Sequence, residues 1–121
     1  MQNTTTLVLG ASPNPERYSF LATSLLQEKG YAVYPLGIKN GFINDLPILL
    51  DWPKKGSIDT VTLYVGPAGQ EAYYESILSL CPRRIIFNPG TENPELEQLA
   101  KQNGIQTMEA CTLVLLKTGQ Y

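Results

Sequence analysis

The chain has 121 residues, 43% hydrophobic and 17% charged, with a net charge of −2 and no histidine. That length fits one domain, 1–121, and the composition is that of a folded protein rather than a disordered segment. Nothing in the charge pattern offers the concentrated basic face that nucleic acid requires, and the absence of histidine removes the commonest general base and metal ligand.

In chain order, Met1 to Thr6 lacks the basic-then-apolar pattern of a signal peptide, and no apolar run approaches the ~20 residues of a membrane span. Cys81 and Cys111 have no metal-ligand spacing and form no CxxC pair, so a reduced, cytoplasmic protein with no metal site is expected. The basic pairs Lys54-Lys55 and Arg83-Arg84 read as solvated loop or strand-edge residues. Thr5 to Leu9 is a short unbroken apolar run, as in a strand buried on both faces. A turn-rich stretch follows. Ser19 to Lys29 then places Phe20, Leu21, Leu25 and Leu26 along one helical face, and Gly30 stops it. A second strand is predicted over Tyr31 to Leu36. One short extended segment is expected near Ile48 to Leu50, then a loop at Lys54 to Ser57.

Thr60 to Val65, rich in β-branched residues, predicts a third strand. A turn at Gly66 to Gly69 and a helix over Gln70 to Leu80 come next, then a strand at Arg84 to Phe87. Asn93-Pro94-Glu95 is a strong helix start: a side-chain cap, proline at the first helical position and an acid in the first turn. Leu96, Leu99 and Ala100 supply its apolar stripe. Gly104 ends it, Ile105 to Met108 predicts a last strand, and Cys111 to Leu116 a terminal helical turn or two. Alternating strands and helices imply an α/β fold: a Rossmann-like three-layer α/β/α domain with a mostly parallel sheet of about five strands. In such sheets ligands bind outside the carboxyl ends of the strands. The loops Gly10 to Arg17, Gly37 to Gly41, Gly66 to Gly69 and Asn88 to Thr91 are therefore expected to open onto one edge.

The first of these loops, GASPNPER, places Gly10 directly after a buried strand and Ser12 and Arg17 before a helix. That helix end offers backbone N–H groups and a positive dipole to a phosphate, and Arg17 can grip one in a planar fork. Pro13 and Pro15 stiffen the loop. Only Gly10 of the three glycines of a dinucleotide fingerprint is present. After the second strand, Tyr34 to Lys39 carries no acid for ribose hydroxyls. Lys39 instead suits a ribose phosphate: the 3′-phosphate of coenzyme A or the 2′-phosphate of NADP.

GASPNPER, the Tyr34-Pro35 pair followed by Lys39, and the glycine-containing loop after Arg84–Phe87 resemble the family of small stand-alone CoA-binding domains. That family is similar to the CoA-binding domain of succinyl-CoA synthetase. The resemblance runs over nearly the whole chain, including a cysteine where Cys111 stands. It implies that Gly10, Ala11 and Ser12 contact the pyrophosphate, with Pro15 and Arg17 in the same loop. Lys39, following Gly37, would face the 3′-phosphate. Val65, Gly66 and Pro67 would border the adenine or pantetheine path, and Asn88, Pro89 and Gly90 would line the far side. Gly37-Ile38 replaces the family's Asn-Pro, and the stretch Tyr64 to Pro67 and the middle segment also depart from its pattern.

The expected function is binding of coenzyme A or an acyl-CoA by a non-catalytic or regulatory module, with no catalytic residue assigned. Two alternatives stand beside it. One is an enzyme component completed by a partner chain, either NADP-linked or transferring CoA through Cys111. The other is an interaction domain that has lost the ligand. Cys111 reads otherwise as a small buried hydrophobe, Cys81 as core or helix-end packing, and Glu109 as a surface acid. A homodimer, or association with a larger acyl-CoA enzyme, is compatible with so small a domain.

Overall fold

The structure, a computed structural model, describes residues 4–121; Met1 to Asn3, part of the segment read as lacking a signal peptide, lie outside them. The elements are β1 (Thr6–Leu9), α1 (Tyr18–Glu28), β2 (Val33–Leu36), β3 (Phe42–Ile43), β4 (Leu46–Pro47), β5 (Thr60–Leu63), α2 (Pro67–Gln70), a 3₁₀ turn (Glu71–Tyr73), α3 (Tyr74–Ser79), β6 (Arg84–Phe87), α4 (Pro94–Gln102), β7 (Gln106–Glu109) and α5 (Thr112–Lys117). Five strands form one sheet in the order β2-β1-β5-β6-β7, and every pairing within it is parallel. β3 and β4 make a separate two-stranded antiparallel hairpin.

β1, β5 and β6 are buried at every residue, as their unbroken patterns predict. Successive side chains point to opposite faces. Leu7, Leu9, Val61, Leu63, Ile85 and Phe87 pack with Ile77 of α3 and with Leu96 and Ala100 of α4. Val8 on the other face packs with Leu26 of α1 and Leu116 of α5. Helices therefore cover both faces, giving the Rossmann-like three-layer arrangement expected. Pro35 is tolerated because β2 is an edge strand: its carbonyl faces outward and accepts the Leu49 N–H at 2.8 Å, so no ladder donor toward β1 is lost.

α4 begins as its sequence dictates, with the Asn93 side chain accepting from the N–H groups of Glu95 and Leu96. α1 ends at Gly30 through paired bonds, Gly30 N–H to Gln27 and Tyr31 N–H to Leu26, each 3.0 Å. Its buried face only partly matches the expected one: Leu26 is in the core cluster with Phe20 and Leu25 packed against it, but Leu21 is not. Ser19, Ala22, Thr23 and Leu26 are buried, Phe20 and Leu25 are half-buried, and Leu21 is 42% exposed. Ser19, Ala22 and Thr23 extend the buried face beyond the apolar stripe, and the Thr23 hydroxyl is satisfied by the Ser19 carbonyl at 2.8 Å.

Three other local expectations change. Gly66 to Gly69 is not a simple turn: Gly66 is the N-cap of α2 and Pro67 its first residue. The middle segment holds the β3–β4 hairpin, and Leu49 bridges to Leu36 at the sheet edge. Arg84 is buried rather than solvated, donating to the Thr60 hydroxyl at 2.9 Å and lying 4.5 Å over the Tyr121 ring. Arg83 is exposed and pairs with Asp59.

Candidate functional site

β1 has β2 on one side and β5 on the other, so the order of the sheet reverses there. The chain leaves β1 toward α1 on one face and leaves β5 toward α2 and α3 on the other. Departing loops that diverge in this way leave a crevice. A cleft of about 640 Å³ occupies it, within the usual range for small-molecule sites.

All four expected loops contribute to its lining. Gly10, Ala11, Ser12 and Arg17 come from the first; Gly37 and Lys39 from the second; Val65 and Gly66 from the third; Pro89 and Gly90 from the fourth. Pro15, Pro67 and Asn88 are not in the lining. Asn88 is buried, and its side chain is used internally. Its Nδ2 donates to the Thr62 hydroxyl at 2.6 Å and the Leu63 carbonyl at 2.8 Å, and its Oδ1 accepts the Thr112 N–H at 2.9 Å.

The first two loops touch closely enough to restrict their residues. Gly10 has φ +97°, and a Cβ there would lie 3.0 Å from the Tyr64 carbonyl oxygen. A Cβ on Gly37 would lie 2.4 Å from the Ala11 carbonyl oxygen. The Leu36 carbonyl accepts both the Gly10 and Ala11 N–H groups at 3.0 Å, which clamps this approach. Those two amides are therefore engaged within the fold.

The donors that remain lie further along. The Ser12 hydroxyl accepts the Asn14 N–H at 3.1 Å, and Asn14 Oδ1 accepts the Glu16 N–H at 3.0 Å, folding the loop onto itself. Arg17 is the N-cap of α1 and gives no side-chain cap, and the first intrahelical bond runs from Leu21 N–H to the Arg17 carbonyl at 3.1 Å. The first-turn N–H groups of α1 thus stand without intrahelical acceptors. Tyr18 and Ser19, two residues of that turn, are in the lining. Sequence reasoning missed these two residues, although the uncapped helix start was visible in it.

Arg17 and Lys39 are the charged residues in the lining; no aspartate or glutamate joins them. A chain of net charge −2 thus turns a cationic, acid-free surface into its cleft. With the positive end of α1, this side attracts anions. Glu92 is an acid tied to the lining: its Oε1 accepts the Gly90 N–H at 2.9 Å at the far wall.

The far wall is fixed from behind by Gln70, which is wholly buried. Its Nε2 donates to the Val65 and Thr91 carbonyls, each at 2.8 Å, and its Oε1 accepts from Asn93 Nδ2 at 3.0 Å. One side chain thereby joins the loop after β5, the loop after β6 and the cap of α4. Leu50, Trp52 and Tyr73 also line the cleft. In sequence Leu50 ends a short apolar stretch bracketed by prolines, and Trp52 reads as cover for a core edge. Tyr73, with Tyr74, reads as half-buried helix packing, with stacking on a base or a dimer surface as the alternatives.

Glu109 is exposed, and Cys111 is the half-buried N-cap of α5; neither lines the cleft. Cys81 is exposed at the end of α3, with φ +52°. The Tyr64 side chain packs with the α1–α5 cluster, and burial pushes its hydroxyl pKa far up. No helix among the described residues is long and apolar enough to cross a membrane, and no cluster of three or more candidate metal ligands occurs among them.

A family model described as "CoA binding domain" matches residues 4–117. Among solved structures, the chain is similar to an uncharacterized protein, 44% identical over 100% of both chains with a TM-score of 0.94. A hypothetical protein from Pyrococcus horikoshii is 28% identical, over 96% of this chain and 82% of that one, with a TM-score of 0.79. A protein from Thermus thermophilus is 22% identical, over 98% of this chain and 91% of that one, and its TM-score of 0.84 speaks for the fold alone. No curated protein matches.

Proposed function

Because the chain belongs to the CoA-binding domain family, we propose that it is a binding module that captures coenzyme A or an acyl-CoA in the cleft at the strand-exit edge. Family membership supports binding of coenzyme A in general. The observation that carries the finer reading is the cleft's charge: Arg17, Lys39 and the uncapped start of α1, with no acid in the lining.

The diphosphate would rest at the α1 N-terminus, taking N–H bonds from the first helical turn and a forked contact from Arg17. Gly10 and Ala11 would border it without donating, because their amides already serve the Leu36 carbonyl. Lys39 would meet the ribose 3′-phosphate. Val65 and Gly66 would flank the ligand's path, and Pro89 and Gly90 would form its far side. Asn88 would act from behind, holding the β6 exit through Thr62 and Thr112.

Calorimetric titration with coenzyme A, dephospho-CoA and NADP tests this assignment. Coenzyme A should bind most tightly. Lys39→Ala should remove its advantage over dephospho-CoA, a loss of roughly 1.5–3 kcal/mol for a charge-assisted contact. An unchanged ratio in that variant would remove Lys39 from the site. NADP bound more tightly than coenzyme A would replace the ligand while keeping the cleft.

A further inference from the structure

The cleft changes character along its length. Its β2 side carries a cluster of apolar side chains for which the diphosphate corner has no use: Ile38, Leu50, Trp52 and Tyr73. Ile38 is 83% exposed and Leu50 49%, so they are not simply core residues that border a hollow. Trp52 and Tyr73 are half-buried, with ring centroids 5.9 Å apart and planes inclined at 45°. The excursion that leaves β2 with Gly37 to Lys39 returns with Leu49 to Trp52. Its two ends are tied at the sheet edge by Gly37 N–H to the Leu49 carbonyl at 3.0 Å and Leu49 N–H to the Pro35 carbonyl at 2.8 Å. Lys39 and Trp52 therefore both lie at the β2 end of the strand-exit edge, while Gly90 and Thr91 stand toward β6. The chain beyond Lys39 packs in the cluster under α1, and Trp52 and Tyr73 pack against the cluster under α3 and α4.

We infer that Trp52 and Tyr73 form a stacking wall for a purine base. They would orient the ligand with its base toward β2 and its thiol-bearing arm toward Gly90 and Thr91. This rests on the proposed binding of coenzyme A. The link is covalent geometry: the base is joined to the same ribose as the 3′-phosphate, so a phosphate held at Lys39 keeps the base on that side. Aromatic rings hold a base by its π-face and exclude water from it. A flexible polar arm gains far less from such a wall.

Trp52 is the one tryptophan of the chain, so its emission reports on the wall directly. The wild-type protein is titrated with adenosine 3′,5′-bisphosphate, 4′-phosphopantetheine and coenzyme A, following Trp52 emission together with calorimetric affinity. Adenosine 3′,5′-bisphosphate and coenzyme A should each change the emission, and 4′-phosphopantetheine should not. Trp52→Leu should weaken coenzyme A and adenosine 3′,5′-bisphosphate by the same factor, roughly 5- to 150-fold, and Trp52→Phe should recover most of that loss.

Coenzyme A bound equally by the wild type and Trp52→Leu overturns the wall and leaves the binding module standing. An emission change produced by 4′-phosphopantetheine and not by the bisphosphate reverses the orientation and overturns it as well. A wild-type protein that binds none of the three overturns the parent reading and this one with it. The wild-type emission titration decides the question even if Trp52→Leu fails to fold.

Discussion

Single residues in this chain carry roles that their chemical type conceals. Gly37 stands where the resembling family has asparagine, a departure that from sequence alone casts doubt on the site. Its reason is steric: a Cβ would lie 2.4 Å from the Ala11 carbonyl and 3.0 Å from Ile48 Cγ2. Gly37→Ala should therefore destabilise the protein by about 1–3 kcal/mol, as overpacking does, and weaken coenzyme A by displacing the Ser12 loop. A urea midpoint equal to the wild type's would contradict this. Asn88 misleads in the opposite direction. A loop asparagine beside Pro89-Gly90 looks like a ligand contact, but its amide is used by Thr62, Leu63 and Thr112. Nothing in the linear order announces those partners.

Asp59 carries a pH-dependent share of stability. Burial alone would raise its pKa, but hydrogen bonds from Arg83 and Thr60 and the charges of Arg83 and Arg84 outweigh burial and hold it below its ordinary value of 3.8. A depressed carboxyl stabilises the fold above its unfolded pKa, and that contribution is lost as pH falls through the lower folded value. Asp59→Asn should thus flatten the acid limb of the stability profile below about pH 4. Urea melts across that range check it, and parallel acid limbs for variant and wild type would count against it.

At the scale of elements, strand and helix order was legible because β1, β2, β5 and β6 are short, mostly apolar or β-branched runs between turn formers. β7, Gln-Thr-Met-Glu, has no such pattern and is marked only by Gly104 and Ile105 before it. The start of α4 was legible to the residue, since Asn93, Pro94 and Glu95 supply all their capping chemistry locally. The inward face of α1 was legible only in Phe20, Leu25 and Leu26. The buried Ser19, Ala22 and Thr23 are small or polar, so no apolar spacing marks them. The start of the helical stretch after β5 is concealed because Gly66-Pro67-Ala68-Gly69 reads as a turn, while Pro67 in fact opens α2. Gln70, at the end of α2, fastens two exit loops to the cap of α4. Gln70→Leu would leave the Val65 and Thr91 carbonyls without that donor, at about 1–3 kcal/mol for each buried group left unsatisfied. Chemical denaturation should show the loss, and the affinity for coenzyme A should fall with it. A variant as stable as the wild type would mean that the loops hold themselves.

Across the whole molecule, the sheet order brings together what the sequence scatters. Arg17, Lys39, Gly66 and Gly90 come from different exit loops and meet only because parallel strands all end at one edge. That convergence followed from strand–helix alternation. The aromatic wall did not, since Trp52 and Tyr73 approach through an irregular excursion and a 3₁₀ turn. A ligand bound only to the folded state raises stability by mass action, about 2.7 kcal/mol at a hundredfold excess over Kd. Coenzyme A should accordingly raise the melting temperature. The effect should shrink as salt screens Arg17 and Lys39, and an increase unaffected by ionic strength would argue against cationic capture.

The most direct measurement is a crystal structure of the chain grown with coenzyme A. The ligand's diphosphate should lie at the first turn of α1, hydrogen-bonded to the Tyr18 and Ser19 N–H groups, with the Arg17 guanidinium beside it. A bound ligand whose phosphates lie away from that turn, or whose diphosphate is held by side chains elsewhere on the surface, would contradict the account.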